Sequence, residues 1–75
     1  MRVRYGLLKA LGAKTGYHPR DISDYVNGHK RPGTKRLFVL ESASGISARV
    51  WRFGSPRELK NKLNAEADRI FKEAS

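Results

Sequence analysis

Apolar residues recur along the chain at intervals of three and four positions, which is the spacing of amphipathic helices. No segment shows the strong alternation of apolar and polar residues that is typical of a half-exposed strand. Glycine and proline separate the periodic segments, as they do at helix ends. The pattern therefore predicts an all-α fold in one small domain, a small bundle of four to five helices plus a C-terminal amphipathic helix.

The first helix is expected from about Arg4 to Thr15. Its apolar stripe consists of Leu7, Leu8 and Leu11. Gly6 and Gly12 weaken it by about 1 kcal/mol each relative to alanine, which leaves open whether the segment forms one helix or two. Gly16 is expected to end it.

A second helix is predicted from Pro19, because proline suits the first helical position, where its missing N–H would have had no partner. His18 is then the expected N-cap, and Asp21 lies in the first turn, where the helix dipole favours a carboxylate. The apolar face consists of Ile22, Tyr25 and Val26. Gly28 is expected to end this helix.

The third helix is predicted from about Thr34 to Ser44, with Gly45 as its stop. Its inner face consists of Leu37, Leu40 and Ala43. Phe38 and Val39 add apolar surface beside this face, although a helix that is apolar on so many sides usually covers another surface. We interpret Phe38 and Val39 as a self-association patch that would form a dimer interface.

The C-terminal third begins with Ser47, a predicted N-cap for a short turn that ends near Trp51. Four apolar residues are expected to close the core here: Ile46, Val50, Trp51 and Phe53. Ser55-Pro56-Arg57-Glu58 forms a capping box that predicts the start of a last helix. The stripe along that helix consists of Leu59, Leu63, Ala67, Ile70 and Phe71.

This pattern divides the chain into residues 1–54, the body of the domain, and residues 55–75, a C-terminal amphipathic helix. A stripe this regular packs either on the body of the domain or on a partner chain. The sequence alone leaves both alternatives open.

Charge adds information about the partner. The formal net charge is +9, and it is uneven. Residues 1–36 carry nine Lys or Arg against two Asp, a net of +7, whereas residues 37–75 carry seven against five, a net of +2. A basic surface favours polyanions, because each neutralised phosphate releases counterions. A membrane surface is less favoured, because no helix sets a Lys/Arg face against a strongly apolar one.

Composition makes other classes of function improbable. The chain has no cysteine and two histidines, so neither a disulfide framework nor a metal site is expected, and no cofactor is implied. There is no apolar run of 18 residues and no secretory signal, so we expect a cytoplasmic protein. Without a Ser/His/Asp set, metal-ligand spacing or phosphate loop, we do not expect an enzyme.

The spacing of residues 11–25 points to a particular motif. A small residue at Gly12 permits the close approach of another helix, and Gly16 permits the positive φ of a tight turn. Ile22 and Tyr25 then return to the core. Together these residues predict a helix-turn-helix, in which two helices cross at a large angle through a short glycine turn.

The segment LGAKTGYHPRDISDYVNGHKRPGTKRLFVLESASGIS resembles the lambda-repressor-like DNA-binding domain of Cro-repressor or XRE-type regulators of bacteria and phages. The likeness covers about residues 7 to 51. It rests on Ala13-Lys14-Thr15-Gly16, Ile22-Ser23, Asn27-Gly28, His29-Lys30-Arg31-Pro32, Lys35-Arg36, Leu40-Glu41 and Ala43-Ser44-Gly45-Ile46. The resemblance implies a bundle of four or five helices whose second motif helix enters the major groove. Gly12 departs from the family, which usually has alanine there, and the family's separate first helix is expected to be abbreviated or absent.

The outward face of the second motif helix supplies the candidate base contacts. They are His18, Arg20, Ser23, Asp24 and Asn27. Recognition helices present their N-terminal residues to base edges, and arginine pairs with guanine as asparagine does with adenine. Arg20 and Asn27 are therefore the main candidates. Asp24 either accepts from cytosine or holds Arg20 one turn away.

Candidate phosphate contacts surround this helix. They are Lys14, His29, Lys30, Arg31, Thr34, Lys35 and Arg36, with Arg2 and Arg4 as looser candidates. Thr34 is expected to cap the third helix, whose N-terminal N–H groups could take a phosphate.

These observations together predict a sequence-specific regulator of transcription that binds double-stranded DNA as a homodimer on a two-fold symmetric operator. The alternative is the DNA-binding antitoxin of a toxin–antitoxin pair, whose C-terminal helix would bind a protein toxin. A protein-interaction module without DNA binding is disfavoured by the +7 charge of residues 1–36.

Overall fold

The computed structural model describes residues 2–74, and all of their regular structure is helical. The helices are α1 (Leu7–Thr15), α2 (Pro19–Val26), α3 (Thr34–Ser44), α4 (Ala48–Phe53), α5 (Pro56–Ala65) and α6 (Ala67–Ala74). The predicted small all-α bundle is confirmed. The described residues form six helices, of which α5 and α6 occupy the segment expected to form the C-terminal helix.

The bounds of the first and last helices differ from the sequence-based expectation. Helix α1 begins at Leu7 rather than Arg4, because Gly6 adopts a left-handed φ of 81° at its N-cap. Gly12 lies inside the helix without breaking it, so this segment is one helix. The expected last helix is divided at Glu66. This division lets its halves contact different neighbours, since α5 lies against α2 and α4 while α6 lies against α1.

The capping residues act largely as their types predict. His18 Nδ1 accepts from the Arg20 N–H at 3.0 Å, and Ser55 Oγ accepts from the Glu58 N–H at 3.1 Å. Ser47 caps α4 by accepting from the Val50 N–H. The prediction that Thr34 caps α3 is wrong. Gly33 occupies the N-cap position and Thr34 is the first helical residue, so the threonine hydroxyl makes no cap hydrogen bond.

The core combines apolar residues of all six helices. Its buried members are Leu7, Leu11, Ile22, Tyr25, Val26, Leu37, Leu40, Ile46, Trp51, Leu59, Leu63, Ala67 and Ile70. Phe53, expected inside, is 72% exposed. It lies two positions after the fully buried Trp51, and two positions on a helix correspond to about 200° of rotation, so the two rings face opposite ways. Val50 is half-buried at the edge of the core.

A buried serine joins α3 to α4. The Ser44 side chain is fully buried, and its hydroxyl donates to the Leu40 carbonyl at 2.5 Å. The same oxygen accepts from the Ile46 N–H and from the Trp51 indole Nε1–H, each at 3.1 Å. This hydroxyl therefore satisfies two buried donors that would otherwise have no partner.

Two cations from other helices bind the C-terminal carbonyls of α3. Lys14 Nζ of α1 donates to the Ala43 carbonyl at 2.7 Å, and Arg69 Nη2 of α6 donates to the Ser44 carbonyl at 2.6 Å. The Glu73 carboxylate accepts from both cations, at 2.7 and 2.8 Å. Because the helix dipole is negative at this end, the cations stabilise α3 as well as tie α1 and α6 to it.

Ser44→Ala should lower the free energy of unfolding by about 2–4 kcal/mol, because it leaves the Ile46 N–H and the Trp51 indole N–H buried without acceptors. Ser42→Ala makes the same chemical change at an exposed position of the same helix and should have little effect. Urea unfolding followed by tryptophan fluorescence measures both. Equal midpoints for the two variants would contradict the role given to the Ser44 hydroxyl.

Glu73→Gln should destabilise the chain at neutral pH but not in acid. The hydrogen bond from Lys14 lowers the pKa of the Glu73 carboxyl below its ordinary value. A lowered folded-state pKa contributes stability above the unfolded-state pKa, about 4.3, and that contribution disappears as the pH falls through the folded-state value. The difference in urea midpoint between wild type and variant should therefore shrink below about pH 4. A difference that is constant from pH 7 to pH 3 would refute this.

Candidate nucleic-acid interface

A three-residue turn, 16–18, joins α1 to α2. Gly16 adopts a left-handed φ of 79°, and its N–H donates to the Gly12 carbonyl at 2.8 Å. The turn passes so close to α1 that a methyl group at Gly12 would lie 2.7 Å from the Tyr17 carbonyl oxygen. Glycine at position 12 thus lets the turn backbone rest directly on α1.

Helix α2 is held to α3 by a polar contact as well as by the core. Arg36 Nη1 of α3 donates to the Tyr25 hydroxyl at 2.9 Å and lies 3.4 Å from an Asp21 carboxylate oxygen. The Arg36 guanidinium also lies over the Tyr17 ring, 4.2 Å from its centroid. The hydrogen bond to Tyr25 raises the pKa of Arg36. Arg36 therefore helps to hold α2 in position, and because its side chain is still 40% exposed, its role as a phosphate contact stays a prediction.

The end of α2 forms a Schellman motif. Gly28, with a φ of 79°, donates its N–H to the Tyr25 carbonyl, and the His29 N–H donates to the Asp24 carbonyl at 2.9 Å. The Lys30 N–H reaches the same Asp24 carbonyl at 3.3 Å. The motif turns the basic segment that follows into an exposed loop, in which His29, Lys30 and Arg31 all lie on the surface.

Two candidate base contacts are exposed at the start of α2. Arg20 is exposed, and its guanidinium makes no hydrogen bond or ion pair with any other residue in the described range 2–74. His18 is also exposed, and its Nδ1 is occupied by the helix cap, which leaves Nε2 as the nitrogen for an external partner. Arg20 is thus the most accessible of the candidate base contacts.

The other three candidates are engaged within the chain. Asn27 Nδ2 donates to the Ser23 carbonyl at 2.9 Å and to Ser23 Oγ at 3.2 Å. Pairing with adenine uses both ends of the asparagine amide, so Asn27 would first have to break these bonds. The Asp24 carboxylate lies 3.6 Å from Lys30 Nζ, so it pairs with Lys30 rather than holding Arg20.

The candidate phosphate contacts fall into two groups. Those on the loop and the first turn of α3 are exposed: His29, Lys30, Arg31, Thr34 and Lys35. Lys14 is less accessible to a phosphate than these residues, because its side chain is 14% exposed and its ammonium binds the C-terminal end of α3. Arg4 is likewise engaged, pairing with Asp68 at 2.8 Å and lying over the Phe71 ring.

A surface cleft beside the loop contains residues that sequence reasoning did not select. Arg31, Pro32, Gly33 and Thr34 line one side of it, and Arg52 and Phe53 at the end of α4 line the other. A signal for it does exist in the sequence. Residues 25–57 contain seven Lys or Arg and a single acidic residue, Glu41.

The two residues of the proposed self-association patch differ in their exposure to solvent. Phe38 is 61% exposed, whereas Val39 is partly covered. Phe38 is therefore the larger contributor of apolar surface at this position, and a role in dimerisation stays a prediction.

Gly12→Ala should lower the free energy of unfolding by about 1–3 kcal/mol, because the added methyl group overlaps the Tyr17 carbonyl of the turn. Helix propensity alone would give the opposite sign, a gain of about 1 kcal/mol. Ala13→Gly, the reverse change at the exposed neighbouring position, calibrates that propensity and should cost up to about 1 kcal/mol. Stabilisation by Gly12→Ala in thermal unfolding would show that the turn does not rest on α1.

No helix within residues 2–74 is long and apolar enough to cross a membrane. The same residues contain no group of three or more His, Asp or Glu side chains placed to hold a metal ion. Comparison of the chain with protein-family models, with curated proteins and with solved structures finds no match.

Proposed function

We propose that this protein is a sequence-specific regulator of transcription that binds double-stranded DNA through α2. The observation that carries the proposal is the environment of Arg20. It is an exposed arginine without an internal partner, in the first turn of a helix whose opposite face is anchored in the core. The resemblance of residues 7 to 51 to Cro-repressor or XRE-type domains supports the same function.

The dimensions of α2 suit the major groove of DNA. With its side chains an α-helix is about 10–12 Å across. The groove is about 12 Å wide and admits one helix, whose N-terminal residues then approach the base edges. In this arrangement Arg20 donates two hydrogen bonds to a guanine, and His18 adds a contact at the edge of the site.

The loop after α2 supplies the affinity that does not depend on sequence. Lys30 is 62% exposed despite its ion pair with Asp24, and Arg31 and Lys35 are exposed beside it. Contacts from such cations to phosphates position a protein on DNA and contribute much of its binding free energy. In this proposal the loop contributes affinity for any DNA sequence, and α2 contributes sequence recognition.

The regulator acts as a homodimer in this proposal. One 75-residue module covers a single half-site, and two linked half-sites multiply the affinity. Phe38 offers exposed apolar surface for the second copy. The antitoxin alternative is less favoured, because Ala67 and Ile70 of the C-terminal segment are fully buried in the core and so are not available to a toxin.

Arg20→Ala should weaken binding to the preferred duplex by about 1–3 kcal/mol and relax specificity at one base pair. The preferred duplex is obtained by selection from a random pool, and affinities are measured by fluorescence anisotropy. Arg20→Lys is the matched control: it keeps the charge but loses bidentate geometry, so it should retain affinity for random DNA while losing specificity. Lys30→Ala should weaken all duplexes alike and reduce the salt slope by about 1.

Two results would overturn the proposal. Absence of duplex binding by the wild-type chain at about 50 mM salt would remove DNA as the partner, because electrostatic binding is strong under that condition. Equal losses for Arg20→Ala and Lys30→Ala on selected and random DNA would remove Arg20 as the residue that recognises a base.

A further inference from the structure

The cleft between the α2–α3 loop and the end of α4 is lined by two arginines and an exposed phenylalanine. Arg31 comes from the loop and Arg52 from α4, so two guanidinium groups from separate segments line the same cleft. Phe53 is the neighbouring side chain on α4 and is 72% exposed. Buried Pro32 lies in the loop wall of the cleft.

No carboxylate among the described residues 2–74 forms an ion pair with Arg31 or Arg52. Glu41 is the single acidic residue among residues 25–57, and its carboxylate accepts from the Ala48 N–H at 2.9 Å, at the start of α4. Neither Arg31 nor Arg52 forms a hydrogen bond or an ion pair through its side chain within the part of the chain that the structure describes. An external anion would therefore be bound without displacing an internal partner.

The position of Arg52 and Phe53 is set by the buried residue before them. Trp51 is fully buried and its indole nitrogen is bonded to Ser44. Because α4 is anchored in this way, the next two side chains are held outward at the cleft. The Arg52 guanidinium lies 5.3 Å from the centroid of the Phe53 ring, so a cation and an apolar surface are presented together.

We propose that this cleft binds one phosphodiester and its deoxyribose on the backbone of the DNA that α2 recognises. Arg31 and Arg52 donate to the phosphate oxygens, as arginine does in bidentate phosphate contacts, and Phe53 packs against the sugar. The inference rests on the proposed function and extends it, because it adds α4 to the contact surface. A DNA backbone is favoured over a protein partner because the cleft continues directly from the basic loop, and both carry charge of the same sign.

The test compares variants of the full chain on a random-sequence duplex, measured by fluorescence anisotropy at four salt concentrations. Arg52→Gln should weaken binding about 5- to 20-fold near 100 mM salt and reduce the slope of log K against log salt by about 1, because one phosphate contact is lost. Phe53→Ala should weaken binding about 3- to 10-fold without changing that slope, because it removes an apolar contact. The matched control is Arg49→Gln, an exposed arginine one turn earlier on α4 and outside the cleft, which should leave affinity and slope nearly unchanged.

A double variant separates a shared phosphate from two independent ones. If Arg31 and Arg52 bind the same phosphate, the loss for Arg31→Gln/Arg52→Gln should be smaller than the sum of the single losses. Additive losses would overturn the shared site. All these residues are exposed, so unchanged thermal unfolding should accompany the changes in binding.

The outcomes distinguish this inference from the proposed function. If wild type binds no duplex, both fail. If wild type binds and Arg20→Ala loses specificity, but Arg52→Gln behaves like Arg49→Gln and Phe53→Ala like wild type, only the cleft inference fails. If Phe53→Ala weakens binding to single-stranded but not to duplex DNA, the ring stacks on free bases, and the duplex-backbone site is likewise overturned.

Discussion

The hydroxyl of Ser44 is the contact on which the arrangement of the helices depends. It donates to the Leu40 carbonyl and accepts from the Ile46 and Trp51 N–H groups, so the end of α3, the following link and α4 share one buried oxygen. In a small domain the core has little free energy to spare, so a buried donor without a partner would be a large loss. Lys14 and Arg69 bind the last carbonyls of the same helix from α1 and α6. The C-terminal end of α3 is therefore where three other helices are tied together.

This arrangement determines which surface is left for a ligand. Arg36 of α3 holds α2 through Tyr25, and the turn at Gly16 rests on α1, so α2 is positioned from both sides. The face that remains outward begins with Arg20. On the other side of the basic loop, the anchoring of Trp51 holds Arg52 and Phe53 at the surface. The contacts that hold the core together thus also keep the side chains of the surface proposed for DNA pointing outward.

Local signals along the chain predicted much of the fold. The span of α3 from Thr34 to Ser44 and the start of α2 at Pro19 agree with the sequence analysis, because proline, glycine and capping residues act on their immediate neighbours.

Other features of the fold depend on residues that are distant in the sequence. The division between α5 and α6 lets each half meet a different neighbour, and no local breaker marks Glu66. Phe53 was expected in the core because its type is apolar, yet α4 is short and already buries Trp51, so the ring lies outside.

The sequence by itself determined the all-helical class, most helix ends, the buried face of α2 and the excess of positive charge. The tertiary structure alone decided which of the charged side chains pair with other residues of the chain. Lys14 and Glu73 are 59 positions apart and meet because α6 packs on α1, and Arg36 meets Tyr25 because α3 packs close to α2. Composition counts Lys14, Arg20 and Arg36 as equal cations. Only the packing of the helices shows that two of them bind carbonyls, carboxylates or a hydroxyl within the chain, while the Arg20 guanidinium has no hydrogen bond or ion pair within residues 2–74.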